Sequence, residues 1–379
     1  MRYCLTFVYR EHNPIDIADS KPKILDIWII NLIKWGMSNN PPMYIAEISA
    51  NHLGSFSRAK ELVLAAIAAG ATAVKFQTYT ASTMTIDSDL PDFKISADHK
   101  LWGGRKLFEL YEEAHTPWEW HEELFQMCQS NGVIPFSTPF DLTAVDFLES
   151  LNTPMYKISS METSDHALIK RVAETGKPLI ISTGATHWDE VVDLVDLVYS
   201  TENRDLTLLV CTSSYPADPQ DSHLLRMNHL RNQFGCRVGL SDHTLGMGVS
   251  VAAIALGASV IEKHFTLRRS DGGADAAFSM EPNEFQLLVE EGNSAYLALG
   301  SPTWSTQTSE YESRRIRRSL YIVNDVRKGE EVTAQNVRAI RPGGGYSPKF
   351  LKEVLGKRFL GDYPAGTPVA PELIENIDL

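Results

Sequence analysis

Eight short runs rich in β-branched and other apolar residues recur between positions 44 and 263, and amphipathic stretches of helical period separate them. The runs fall at 44–48, 73–77, 133–137, 155–158, 179–182, 206–211, 237–241 and 259–263. Helical patterns cover, among others, 57–69, 117–130, 165–175, 188–199 and 247–256. Near-continuous apolar strands alternating with helices are the signature of a parallel sheet covered by helices, and eight such units in a row predict a closed (β/α)8 TIM barrel. A doubly wound open sheet is the rival. It would usually place a glycine-rich turn after its first strand, and Ile48-Ser49-Ala50-Asn51-His52 is not one.

The polar residues are not scattered at random along these runs. Alternate side chains of a strand face opposite ways. If Val74 and Phe76 face the helices, Lys75 and Gln77 face the barrel axis. The same alternation puts Glu47 with Ile45, Ser241 with Gly239, and Glu262 and His264 with Val260. Lys157 closes its run, with Ser160 and Glu162 just beyond. Ser182 ends another run, and Ser213 and Tyr215 follow Cys211. Polar groups therefore gather at the C-terminal strand ends, the face on which barrel active sites are built. A buried structural network is the competing reading for any one of them. It is a poor reading of the whole set, because each buried charge costs several kcal/mol unless it is matched or used.

His243 and His264 end two consecutive strands, so two imidazoles are expected to enter one pocket. That is a way to hold a catalytic divalent cation with positions left open, and imidazole favours Mn2+, Fe2+, Co2+ or Zn2+ over Mg2+ in affinity. Lys75 and Lys157 supply local positive charge in a chain whose net charge is −13. Ser160, Ser182, Ser213 and Ser241, with nearby backbone N–H groups, can cradle phosphate oxygens. Glu47 and Glu162 are candidates for proton transfer. Together these groups suit carbon–carbon bond formation between an enol phosphate and an aldehyde. Two other readings stay open at this stage: a Schiff-base enzyme working through Lys75 or Lys157, and a non-catalytic sugar-binding barrel.

The rest of the chain is organised around that barrel, assigned to 43–299. Residues 1–42 are expected to be a poorly ordered extension, with Met37 as an alternative start. Their apolar stretch at 24–33 is too short and interrupted to span a bilayer, and it lacks the flanks of a signal peptide. Residues 300–318 read as a polar linker containing the basic run Arg314–Arg318, and 319–379 as a small β-rich domain. The acidic balance argues against nucleic acid and anionic membrane as partners. Cys4, Cys128, Cys211 and Cys236 form no CxxC pair, which points to reduced thiols and the cytoplasm.

Several of these motifs, in order, resemble the sialic acid synthase family: Val74-Lys75-Phe76-Gln77, Ser137-Thr138-Pro139-Phe140, Tyr156-Lys157-Ile158-Ser159-Ser160, Ser182-Thr183-Gly184, Ser241-Asp242-His243 and Glu262-Lys263-His264-Phe265. The resemblance covers about 43–375. It implies a barrel followed by an antifreeze-like (SAF) domain, and condensation of phosphoenolpyruvate with an N-acylated amino sugar to release phosphate. It also implies that His243 and His264 hold Mn2+, Co2+ or Mg2+, and that Lys75, Lys157, Ser160, Ser182, Ser213 and Ser241 line the phosphoenolpyruvate site. By the same resemblance Gln77, Tyr215 and Asp275 contact the sugar, and Arg341 is contributed across a domain-swapped homodimer. N-acetylneuraminate synthases differ from this chain over 99–121. They usually carry Asn at the position of Ser213, which weakens the transfer of that contact.

Overall fold

The computed structural model describes residues 40–98, 101–301 and 303–375. The expectations for the apolar stretch at 24–33, for Met37, for Cys4 and for most of the 1–42 extension lie outside the described residues. The chain divides into two compact units, 1–300 and 301–379.

The first unit is the expected closed barrel. Its eight parallel strands are β1 (Met43–Glu47), β2 (Ala73–Thr78), β3 (Ile134–Pro139), β4 (Tyr156–Ile158), β5 (Leu179–Ser182), β6 (Leu206–Cys211), β7 (Arg237–Ser241) and β8 (Val260–His264), and β8 pairs back onto β1. The covering helices are α1 (Phe56–Ala68), α2 (His121–Ser130), α3 (Leu142–Ser150), α4 (His166–Ala173), α5 (Trp188–Ser200), α6 (Arg226–Phe234), α7 (Gly248–Ala255) and α8 (Pro282–Leu299). Helix starts follow side-chain chemistry: Ser55, Asp141 and Asp165 accept from backbone N–H groups in the first turns of α1, α3 and α4. No described helix is long and apolar enough to cross a membrane.

Strand parity is as the alternation predicted. Val74 and Phe76 belong to the layer between strands and helices. Ile45, Ala73, Phe136, Met155, Ile180, Leu209 and Val260 form a separate apolar plug inside the barrel. The register sets Glu47 opposite both Lys75 and His264, and Ser241 opposite Glu262. The polar groups of neighbouring strands therefore meet in one tier above the plug, toward the C-terminal strand ends. Gly239 marks how tightly the barrel closes. A Cβ there would run into the carbonyl oxygen of Val260 and lie 2.8 Å from Leu209 Cδ2. Because a backbone carbonyl in a strand cannot swing away, Gly239→Ala is expected to cost about 1–3 kcal/mol of stability by urea unfolding.

The second unit is built on an antiparallel pair, β9 (Ser319–Ile322) and β10 (Val337–Ile340). Its own small core includes Leu320, Ile322, Val326, Val332, Phe359 and Val369. The segment read as a linker holds a short helix, Tyr311–Arg315. Its basic run is exposed, with Arg315 paired to Glu312 at 3.2 Å.

Candidate active site at the C-terminal mouth of the barrel

Four charged side chains form the floor of the site, one each from β1, β2, β4 and β8. Glu47, Lys75, Lys157 and Glu262 are all at most 5% exposed. Lys75 Nζ lies 2.6 Å from Glu47 Oε2 and 3.8 Å from Glu262 Oε1, and Lys157 Nζ lies 3.9 Å from that same Glu262 oxygen. Lys157 also donates to the carbonyl of Ile158 at 3.0 Å, and Lys75 to Thr138 Oγ1 at 3.2 Å. Desolvation acts on all four and is answered unequally. Burial pushes the Glu47 carboxyl up to about 7 against the pull of Lys75. Burial would raise Glu262 too, but Lys157 and Lys75 outweigh it and hold that carboxyl below its usual range. For Lys75, burial is overcome by Glu262 and Glu47, so the ammonium is reinforced. For Lys157, burial prevails and its pKa is lowered.

Above this floor opens a cavity of about 440 Å³, large enough for two small substrates. Lys75, Lys157, Ser160, Ser182, Ser241, His243, Glu262 and His264 line it, together with Gln77, Glu162, Tyr215 and Asp275. Ser182 and Ser241 close β5 and β7, while Ser160 and Ser213 lie in the turns that follow β4 and β6. Gly184, just after β5, donates its N–H to Ser160 Oγ at 3.0 Å. A Cβ on Gly184 would overlap Ser213 Oγ and come within 2.8 Å of Ser160 Oγ, so only glycine lets these two hydroxyls converge. Ser182 Oγ is buried with no hydrogen-bond partner, and Ser241 donates to Glu262 at 3.0 Å. Two ammonium groups beside a ring of small hydroxyls make an anion site.

His243 and His264 stand together, their rings 5.3 Å apart between centroids. His243 Nδ1 donates to the carbonyl of Thr212 at 2.9 Å, which leaves its other ring nitrogen as the free lone pair. Burial holds His264 well below the ordinary imidazole range, reinforced by His243 whenever that ring is protonated and by Lys75, so proton binding at His264 is disfavoured. Its Nδ1 is buried without a hydrogen-bond partner, and the nearest carboxylate oxygen, on Asp275, is 3.9 Å away. A buried neutral imidazole with an idle nitrogen, next to a second one, fits a divalent cation. Among the described residues no three His, Cys, Asp or Glu side chains form a ready-made set, so such a cation would keep open positions for ligands from outside.

The remaining predicted residues fall into three groups. Gln77 donates to Glu47 Oε1 at 3.0 Å and to Ser49 Oγ at 3.2 Å, and Ser49 in turn hydrogen-bonds Asp275. Tyr215 lays its ring 4.5 Å from that of His243. Glu162 lines the cavity, is hydrogen-bonded by Ser159, and has its pKa raised by burial. Glu47 belongs to the layer beneath: it is fully buried, and Lys75 and Gln77 separate it from the cavity. Arg341 is exposed in the second unit, just after β10. Ser49, Cys211 and Glu262 line the cavity but were not among the assigned site residues. Parity had turned Glu262 inward, and the fold shows it to be the anion that both lysines share.

A barrel whose mouth holds two lysines, a serine cradle and a histidine pair defines a class. The chain belongs to the NeuB family, whose model matches residues 62–303, and it carries a SAF domain at 317–375. It is 44% identical to the pseudaminic acid synthase of Helicobacter pylori over 88% of this chain and 98% of that protein. It is 38% identical to the N,N'-diacetyllegionaminic acid synthase of Legionella pneumophila over 91% and 98% of the two. Among solved structures, the N-acetylneuraminic acid synthetase of Leptospira borgpetersenii matches with a TM-score of 0.65 at 29% identity, covering 73% of this chain and 91% of that one.

Proposed function

We propose that the chain is a pseudaminic acid synthase, a cytoplasmic transferase. It condenses phosphoenolpyruvate and water with 2,4-diacetamido-2,4,6-trideoxy-L-altrose and releases phosphate. The observation that carries the reading is the composition of one cavity: it is lined by two buried lysines, by Ser160, Ser182 and Ser241, by the imidazoles of His243 and His264, the latter with an idle nitrogen, and by a carboxyl of raised pKa.

In this reading Lys75 and Lys157 neutralise the phosphate and carboxylate of phosphoenolpyruvate, and Ser160, Ser182, Ser213 and Ser241 hold its oxygens. A divalent cation on His243 and His264, such as Mn2+, Co2+ or Mg2+, would supply Lewis-acid polarisation of the sugar aldehyde. Gln77, Tyr215 and Asp275 orient the open-chain sugar, and Arg341 completes the site across a domain-swapped homodimer. Carbon 3 of phosphoenolpyruvate forms the new bond to the aldehyde carbon as the carbonyl π pair passes to its oxygen, which takes up a proton from solvent to become a hydroxyl, and carbon 2 is left electron-poor. Glu162 removes a proton from the water that adds at carbon 2. The carbon 2–oxygen bond then breaks, and the bridging oxygen leaves with phosphate. Glu47, screened from the cavity, acts through Lys75 and Gln77 by fixing their positions rather than on substrate.

The test is phosphate release from phosphoenolpyruvate with a panel of the altrose, its legionaminic-type counterpart and N-acetylmannosamine. The altrose is expected to give the highest kcat/KM. Chelation should abolish release and borohydride should leave it intact. Trapping of Lys157 by borohydride would instead favour a Schiff-base mechanism. No sugar-dependent release with any of the three would overturn the proposal.

A further inference from the structure

We infer that the excursion between β2 and α2 is the wall that selects the acceptor sugar. It favours a sugar whose end remote from the aldehyde is deoxygenated and carries methyl groups over the hydroxylated homologue. This rests on the reading above and assigns the choice of sugar to a part of the molecule outside the catalytic floor.

The excursion is rich in charge, with Asp87, Asp89, Lys94, Arg105, Lys106 and Glu113 among its residues. None of these lines the cavity. They pair with one another instead: Lys106 with Asp89 at 2.9 Å and Asp87 at 3.3 Å, and Arg105 with Glu113 at 2.5 Å. What the segment offers the cavity is mostly apolar: Met84, Ile95, Leu107, Leu110 and Ala114, with the rings of Tyr79, Trp102 and Tyr111. The Trp102 indole N–H is already engaged with the carbonyl of Ala274 at 3.0 Å. The phenols of Tyr79 and Tyr111 are the other side-chain hydrogen-bonding groups the segment brings to the cavity.

This wall is built in advance and stands on the sugar side. The Trp102 contact ties the excursion to the loop after β8, one residue from Asp275, and its ring lies 6.0 Å from that of Tyr215. Tyr111 packs edge-on against Tyr79 at 5.8 Å, and Tyr79 against Phe140 at 5.1 Å. Leu110 is 7% exposed. Of the anion site, Lys157, Ser160, Ser182 and Ser241 come from β4, the turn after it, β5 and β7, and only Lys75 shares β2 with Gln77. A sugar held by Gln77, Tyr215 and Asp275 therefore has its far end against hydrocarbon. A methyl group there is buried favourably, whereas a hydroxyl gives up its bonds to water and meets mostly hydrocarbon, with only the phenols of Tyr79 and Tyr111 to offer in exchange.

Apolar pockets discriminate against an added hydroxyl by roughly 10–100-fold, so the selectivity expected is of that size. The experiment compares full-length wild type with Ile95→Asn and Leu107→Gln. It measures kcat/KM by phosphate release for the 6-deoxy diacetamido sugar and its 6-hydroxy counterpart, with KM for phosphoenolpyruvate as the control. Wild type should favour the deoxy sugar about 10–100-fold. Each variant should narrow that ratio by improving the hydroxylated sugar relative to the other while KM for phosphoenolpyruvate stays unchanged. A wild-type ratio near one, or variants that lower both sugars equally, overturns the wall while leaving the synthase reading in place. Turnover of neither sugar by wild type overturns the synthase reading and the wall with it.

Discussion

Lys75→Met is expected to lose about 3–5 kcal/mol of folding stability, because removing one partner of a buried pair strands the other's charge. Lys75 is the cation closest to Glu47, at 2.6 Å, and it also faces Glu262 at 3.8 Å. Glu47 is fully buried, so solvent cannot compensate its charge. The loss should depend on pH in a definite direction. In the wild type, burial already raises Glu47 from 4.5 to about 7. Without Lys75 it rises further, so the folded variant holds a proton that the unfolded chain releases. A carboxyl raised on folding loses stability as pH climbs from its unfolded value toward its folded one. The deficit of Lys75→Met should therefore be smaller at pH 5 than at pH 8 in urea unfolding. Adding Glu47→Gln should restore part of it, by the logic of a double-mutant cycle. A variant as stable as wild type at pH 8, or a deficit equal at both pH values, would contradict the buried pair.

Glu162→Gln should lower kcat by roughly 10²–10⁴-fold, the range of a lost general base. KM for phosphoenolpyruvate and the unfolding midpoint should hardly move. Glutamine keeps the shape and the hydrogen bond to Ser159, and only the proton-accepting step is lost. The pH profile supplies a second readout. Burial raises the Glu162 pKa, and the base works only when deprotonated, so wild-type activity should climb with pH through that raised value. The variant should lack this acid limb. Near-normal turnover, or an unchanged acid limb, would remove Glu162 from the proton-transfer role.

Much of this site was legible before any coordinates, for a simple reason. Strand parity is a period of two, and a closed parallel barrel converts it directly into inward and outward faces. Lys75, Gln77, Lys157, Ser241 and His264 could be placed by counting, and all of them line one cavity. Parity also separates Lys263 from its neighbours: it faces away and pairs with Asp242 at 3.1 Å. What counting could not supply is partnership. Glu262 was turned inward by the alternation, but nothing in a local motif says that it anchors lysines on β2 and β4. Ser49 sits in the left-handed region at φ 47° and hydrogen-bonds Asp275, which is 226 positions away in sequence but follows the neighbouring strand β8. The wall before α2 has neither strand nor long-helix periodicity, so no counting rule places its many charges. Only folding shows that they turn outward and leave hydrocarbon facing the sugar.

The central claim is that this mouth joins carbon 3 of phosphoenolpyruvate to a sugar and breaks the carbon–oxygen bond. Phosphoenolpyruvate labelled with heavy oxygen at the bridging position, incubated with purified protein and the diacetamido-trideoxy-altrose, tests it most directly. The account predicts that the released phosphate carries the label and that release requires the sugar. Label left in the keto acid product, or phosphate released at the same rate with no sugar present, would contradict it.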